Sequence, residues 1–216
     1  MKVSIKSLLK GAREARGHVA LIDVFTSTTL IATLLDRGAT EVVPVRSVRE
    51  AMAIRAGRPD TILMGERWGK KIPSFDHNTS CVRASTLDVA DRQVVVSTTN
   101  GTLGILSVEK ADRLFLGCFR NAAALAQRLA EADEVTLVPI GLAHGRIRAI
   151  EDELCAEAVR RYLLGEDVGF AALEQRIRRD LSSRVRNVSR RSDVDYCLEL
   201  NAVDIVPELR GKIIRA

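Results

Sequence analysis

Apolar residues in this chain come in short, nearly unbroken runs: "HVALIDV" from His18, "EVVPV" from Glu41, "TILMG" from Thr61, "QVVVSTT" from Gln93, "RLFLG" from Arg113 and "EVTLVPIG" from Glu134. A strand with one wet face alternates apolar and polar residues. Continuous Val, Ile and Leu instead predict strands covered on both faces. Between the runs the period changes to that of helices. "TSTTLIATLLDRG" reads as a helix closed at Gly38, "SVREAMAIRAG" opens on a Ser47-x-x-Glu50 capping box, and "NAAALAQRLAEA" follows a candidate cap at Asn121. Strand and helix alternate, so the expected fold is α/β, a layered α/β/α arrangement around a largely parallel or mixed sheet.

After Gly145 the pattern turns helical with "AIEDELCAEAVRRYLL", and short apolar runs return only in "AVDIVPEL" and "GKIIRA". The expected organisation is a sheet region over residues 1–145 and a mainly helical region over 146–216 packed on it. No linker composition marks the second as an independent domain.

In α/β sheets ligands gather beyond the carboxyl ends of the strands. Five segments fall there: Asp23 to Thr29, Gly65 to Gly69, Thr98 to Thr102, Gly117 to Asn121, and Gly141 to Gly145. The third, "TTNGT", has two readings. It is a strand-to-helix turn with a Thr cap, or a cradle in which Thr99, Asn100, Gly101 and Thr102 hold an oxyanion. Asp23 follows four apolar residues and precedes the hydroxyls Thr26, Ser27, Thr28 and Thr29. It either caps the next helix or acts as metal ligand, nucleophile or base. Glu66 ends another strand, and Asp76 lies ten residues on, in a loop. With Asp23 these two acids would make an oxygen-rich set suited to Mg²⁺. Glu151 and Asp152 open a helix, where negative charge is favourable with or without a catalytic role. Cys155, one turn after Glu151, reads as a buried thiol, and His77 and His144 as loop histidines.

Charge and composition narrow the classes. The 216 residues are 46% hydrophobic with a formal net charge of +5, enough apolar material for a sizeable core. Seven arginines crowd "RIRRDLSSRVRNVSRR" between Arg176 and Arg191. Ile177, Leu181, Val185 and Val188 there fall on one helical stripe, which makes the arginines a solvated face. With two Tyr, one Trp and five Phe in the chain, stacking platforms for single strands are scarce, so nucleic acid is not the expected partner. Cys81, Cys118, Cys155 and Cys197 contain no C-x-x-C pair, which fits a reducing compartment. No window reaches the length of a membrane span and the first residues lack a signal-peptide core, so the expected location is the cytoplasm, away from membranes.

Taken in order, "ALIDVFTSTTLIATLLDRGATEVVPV", "GERWGKKIPSFDHNTS", "STTNGT", "GCFRNAAALA", "IEDELCAEAV" and "DVDYCLELNAVDIVPELRGKII" resemble the motif set of the 2-phosphosulfolactate phosphatases over nearly the whole chain. That resemblance implies a Mg²⁺-dependent α/β phosphatase acting on phosphate monoesters of small α-hydroxy acids, such as the phosphosulfolactate of coenzyme M biosynthesis. It puts Asp23, Glu66, Asp76, Asn100, Gly101, Glu151 and Asp152 on recurrent positions. It also makes Ser27, Thr28, Arg67, Thr99, Thr102 and Arg120 candidate contacts of the anionic substrate. Thr26 and Leu103 stand where the family usually has arginine, so Arg67, Lys70, Lys71 or Arg120 would have to supply that charge. The alternative is a non-catalytic member that binds an anionic metabolite. A homo-oligomer is compatible with the sequence.

Overall fold

The computed structural model describes residues 1–184 and 191–216, with the side chains of 182–184 outside the description. In chain order the elements are β1 (Lys2–Ile5), α1 (Leu8–Glu14), β2 (Gly17–Ile22), α2 (Ser27–Asp36), β3 (Glu41–Pro44), α3 (Val48–Gly57), β4 (Ile62–Arg67), β5 (Lys70–Lys71) and α4 (Cys81–Ala84). There follow β6 (Gln93–Ser97), α5 (Gly101–Ile105), β7 (Ala111–Gly117), α6 (Ala122–Leu129), β8 (Glu134–Pro139), α7 (Ile150–Leu164), α8 (Phe170–Arg184), α9 (Arg191–Cys197), β9 (Glu208–Arg210) and β10 (Ile213–Arg215). Each continuous apolar run became a strand. The fold is α/β around one mixed sheet of ten strands.

The strand order is β1-β8-β2-β7-β9-β10-β3-β6-β4-β5. Two parallel groups, β1-β8-β2-β7 and β3-β6-β4, are joined in the middle by the antiparallel β9–β10 hairpin. Gly211 takes a φ of 65° at the hairpin's turn, a conformation open to glycine at little cost. The sheet therefore draws on both sides of residue 145, and residues 146–216 supply its central joint as well as helices. Laid flat, β2 and β6 would stand five strand spacings apart, roughly 24 Å. The Ser27 and Thr98 hydroxyls just beyond their ends are 2.9 Å apart, so the sheet curls until the two groups' exits meet.

Burial explains the unbroken apolar runs. In β3, β4 and β6, Val42, Ile62, Met64, Val94 and Val96 face the larger core with β2, β7, β8 and α2, while Val43, Leu63 and Val95 face a second cluster with Val45, Ala51, Ile72 and Phe75. Both faces are covered, so alternation carries no polar half. Ser47 caps α3 as its sequence predicts, accepting from Glu50 N–H at 3.1 Å, but Glu50 returns the bond to Arg46 N–H at 3.4 Å. Asn121 does not cap α6. Its Oδ1 accepts from Cys118 N–H and its Nδ2 donates to the carbonyls of Leu116 and Ile205, because a buried amide satisfies itself with the nearest strand-end groups.

Within the arginine run, Ile177 is buried and Leu181 partly buried against the larger core, while Arg178 reaches Glu174 and Asp195. Val185 and Val188 lie outside the described residues. Among the described residues no helix is long and apolar enough to cross a membrane.

The hairpin is anchored by Glu208, which is buried and accepts from Arg113 Nε at 2.8 Å and from Arg210 Nη2 at 2.7 Å. Arg113 leads the charges that hold this carboxyl at about 2, against the burial that opposes them. Its stabilisation is complete above the ordinary value of 4.5 and is lost as pH falls toward about 2. Glu208→Gln is expected to destabilise the protein by about 2 kcal/mol at pH 7. In urea unfolding the difference from the parent should shrink steadily as pH is lowered through this window; a gap independent of pH would assign the loss to packing instead.

Candidate active site

The exits of β2, β4, β6 and β8 surround a cavity of ≈ 520 Å³, a size common for small-molecule sites. Asp23, Phe25, Thr26 and Ser27 form one wall, Glu66, Trp68 and Gly69 a second, and Thr98, Thr99 and Asn100 a third, with Leu142 and Ala143 closing the side beyond β8. Four of the five strand-end segments meet here. The fifth, Gly117 to Asn121, packs inward instead.

Asp23 sits at the base of the cavity and is almost fully buried. Its main-chain N–H donates to Thr28 Oγ1, and Thr28 Oγ1 donates on to the carbonyls of Asp23 and Gly117 at 2.8 and 2.7 Å. Thr28 is thus a buried brace and does not line the cavity. Burial pushes the Asp23 carboxyl up to about 7, helped by the charges of Glu66 and Glu151 and opposed by hydrogen bonds from Ser27. Asp152 lies behind it, with Val24 N–H donating to Oδ1 at 2.8 Å and Gly141 N–H to Oδ2 at 2.9 Å. Its carboxyl is raised well above the usual range, first by burial and then by Asp23 and Glu151. Asp152 and Glu151 are buried in the first turn of α7 and do not line the cavity. They act on it through charge and, for Asp152, through the main chain it holds.

Glu66 is fixed from the opposite side. Oε1 accepts from Thr99 N–H at 2.6 Å, and Oε2 accepts from Gly69 N–H at 2.7 Å and from Thr99 Oγ1 at 3.1 Å. Within "TTNGT" the two Thr at the ends bond each other: Thr98 N–H donates to Thr102 Oγ1 and Thr102 N–H to Thr98 Oγ1. That is a helix cap made by Thr98. Thr99 and Asn100 between them face the cavity, and Asn100 Oδ1 accepts from His144 N–H at 2.8 Å, leaving Nδ2 as a donor at the wall. Gly101 is needed for space: a Cβ there would lie 2.2 Å from Ser27 Oγ and 2.5 Å from Asp23 Oδ2.

Besides Thr28, Glu151 and Asp152, the expected residues Asp76, Arg120, Arg67 and Thr102 do not line this cavity. Asp76 lines a different hollow, where Leu63 N–H donates to Oδ2 at 2.8 Å and Arg55 pairs with it. Burial would raise its carboxyl, but those two donors hold it below the usual range. Asp76 is committed to the strand edge, which separates it from Asp23 and Glu66. Arg120 is buried, paired with Glu199 and laid over the Tyr196 ring at 3.8 Å. Arg67 points into a neighbouring recess with Thr102 and Leu103. Cys155 is buried and its thiol is pushed well above its ordinary value by burial. His77 belongs to the Asp76 hollow, and His144 stands edge-on to Trp68 with ring centroids 5.1 Å apart.

One acid in the cavity escaped the sequence. Asp193, in the first turn of α9, lines it and accepts from Ser80 Oγ at 2.8 Å and Val82 N–H at 3.0 Å. Asn78, Thr79 and Ser80 complete that side. Among the described residues no three His, Cys, Asp or Glu side chains form a group able to hold a metal ion. Asp23 and Glu66 offer what Mg²⁺ commonly takes from a protein, one or two carboxylates with the other positions open to water and substrate oxygens. Carboxylates crowded against a buried Asp23 are a donor set that a divalent cation would relieve.

A family model described as 2-phosphosulpholactate phosphatase matches residues 4–212. The chain belongs to this family. A relative from Thermoplasma volcanium is 32% identical over 195 residues, covering 90% of each chain. One from Symbiobacterium thermophilum is 33% identical over 217 residues, covering 91% of this chain and 93% of the relative. Another, from Pseudothermotoga lettingae, is 34% identical over 205 residues with 88% of each covered. All three carry the name probable 2-phosphosulfolactate phosphatase. Of this 2-phosphosulpholactate phosphatase family member's two departures from the expected arginines, Thr26 lines the cavity and Leu103 lines the recess beside it.

Gly101→Ala tests the packing of the cavity floor. The added methyl has no room beside Asp23 and Ser27, so the variant is expected to lose about 1–3 kcal/mol of stability. A thermal unfolding midpoint equal to the parent's would show that the floor yields without strain.

Proposed function

We propose that this chain is a phosphoric monoester hydrolase whose substrate is a phosphorylated small α-hydroxy acid, 2-phosphosulfolactate or a close analogue, and that its activity depends on Mg²⁺. Membership of the 2-phosphosulpholactate phosphatase family supports the hydrolase class and a phosphate-ester substrate. The observation that carries the reading to particular residues is the buried Asp23 at the cavity base, with Glu66 opposite and Asn100 and Ser27 beside it.

Asp23 and Glu66 are the residues that would hold Mg²⁺, which when bound would offset the charge of the phosphoryl oxygens. The remaining roles belong to the chain itself. Thr99 N–H and Gly69 N–H fix both oxygens of Glu66, so its carboxylate is preorganised. Asn100 Nδ2 is a neutral donor for ester or carboxylate oxygens, while Ser27 Oγ, 2.9 Å from Thr98 Oγ1, steadies the Asp23 carboxylate. Burial pushes the Asp23 carboxyl up to about 7, and a bound cation would favour its ionised form. Phe25, Trp68 and Leu142 give the cavity an apolar side.

The decisive measurement is inorganic phosphate release from 2-phosphosulfolactate, 2-phospholactate and unrelated monoesters, with Mg²⁺ and with EDTA. Release from the hydroxy-acid esters that EDTA abolishes is expected. Asp23→Asn, which keeps the shape and deletes the charge, should lower kcat by about a hundredfold or more with an unchanged unfolding midpoint. Parent-level turnover by Asp23→Asn would remove Asp23 from the chemistry, and EDTA-insensitive release would remove the metal.

A further inference from the structure

Beyond Trp68, Thr98 and Thr99, the three residues it shares with the main cavity, lies a recess of ≈ 160 Å³ flanked by Arg46 and Arg67 and lined by Leu103. Arg67 is held rigidly: Nη1 donates to the Glu66 carbonyl at 2.7 Å, and Nη2 donates to the Arg46 carbonyl and to Ser97 Oγ, both at 2.8 Å. These bonds engage three of a guanidinium's five N–H donors. Arg46, exposed at the rim, donates from Nη2 to Ser107 Oγ at 3.3 Å and keeps its other donors. All of these acceptors are neutral oxygens. Elsewhere the chain pairs arginine with acid, as in Arg55–Asp76, Arg113–Glu208, Arg120–Glu199 and Arg178–Glu174. Among the described residues no ion pair engages Arg46 or Arg67. Two like charges beside one small recess favour an anion there.

We propose that this recess is an oxyanion subsite that holds the substrate's sulfonate, the anionic group most remote from the phosphate ester, and that Arg46 is a specificity-determining residue. The assignment to substrate rests on the phosphatase reading of the main cavity. A sulfonate is the group that fits best, since its three oxygens can accept from two separate guanidiniums, whereas a carboxylate's two are filled by a single fork. The charge absent at Leu103 is thereby supplied from the loop between β3 and α3. Leu103 then offers an apolar contact for the substrate's methylene.

Trp68 is the chain's one tryptophan and borders both hollows, so its fluorescence reports occupancy without turnover. The full-length parent, Arg46→Gln and Arg46→Lys would be titrated in Mg²⁺ with 3-sulfolactate, lactate and inorganic sulfate. The same proteins would be assayed on 2-phosphosulfolactate and 2-phospholactate. Arg46→Gln is expected to weaken 3-sulfolactate binding about tenfold and to raise KM for 2-phosphosulfolactate by a similar factor, with kcat changed less than about twofold and 2-phospholactate unaffected. Arg46→Lys should recover part of the loss. No 3-sulfolactate response in the parent, or equal weakening for 3-sulfolactate and lactate, overturns the proposal. Loss of the sulfate response alone, with 3-sulfolactate unchanged, marks a site for free anions and overturns the assignment to substrate. If the parent cleaves neither ester yet 3-sulfolactate binding depends on Arg46, the phosphatase reading fails while the sulfonate subsite stands.

Discussion

Asp152 accepts the main-chain N–H groups of Val24 and Gly141 on its two oxygens, deep beneath the cavity. Those hydrogen bonds fix where the chain leaves β2 and β8, and so where Asp23 and the Leu142–Ala143 wall stand. An acid buried this far would be costly without donors. Its donors are backbone groups, which cannot be withdrawn while the strands stay paired. Asp23 and Glu151 beside it raise its carboxyl further. The interior of the site is consequently short of positive charge, and the cations that approach it, Arg46 and Arg67, do so only from the flank.

Much of the architecture was legible in the sequence because double-sided burial leaves a plain mark. The runs at Val19 to Ile22 and Val94 to Val96 contain no polar alternation, and both are buried. Strands with less to bury were harder to see. β5 is two exposed lysines paired to the end of β4, and although β9 and β10 overlap the late apolar runs "AVDIVPEL" and "GKIIRA", their place in the sheet is set by partners more than ninety positions away. The site was legible to the extent that strand ends dictate it, which covers Asp23, Ser27, Glu66, Thr99 and Asn100. Asp76 looked equivalent to Glu66 by type and neighbourhood. What separates them is a fold-back, in which Asp76 and His77 N–H both donate to the Leu63 carbonyl and turn the side chain toward Arg55. Asp193 opens the quoted "DVDYCLELNAVDIVPELRGKII" segment, but nothing there marks it as a site residue, since α9 packing on α4 carries it to the cavity.

The segment "TTNGT" caps the helix that follows it and supplies a wall of the cavity. Thr98 and Thr102 satisfy each other across the first turn of α5, a local saturation of polar groups that any short helix needs. With those ends spoken for, Thr99 and Asn100 project their remaining groups outward, and Gly101 leaves the volume in which the Asp23 carboxyl lies. One five-residue segment thus serves as cap, wall and spacer, each at a different position.

The β9–β10 hairpin, set between two groups of parallel strands, also dictates an order of assembly. Among the described residues β7 and β3 do not pair directly; in the sheet they are joined through residues 208–215, and α2 packs on both. During synthesis the sheet that joins the two parallel groups is complete only once that segment has emerged. Such distant pairing is slow to close. The nascent chain would therefore expose two unsatisfied sheet edges at β7 and β3, the kind of surface on which chaperones and misassembly both act.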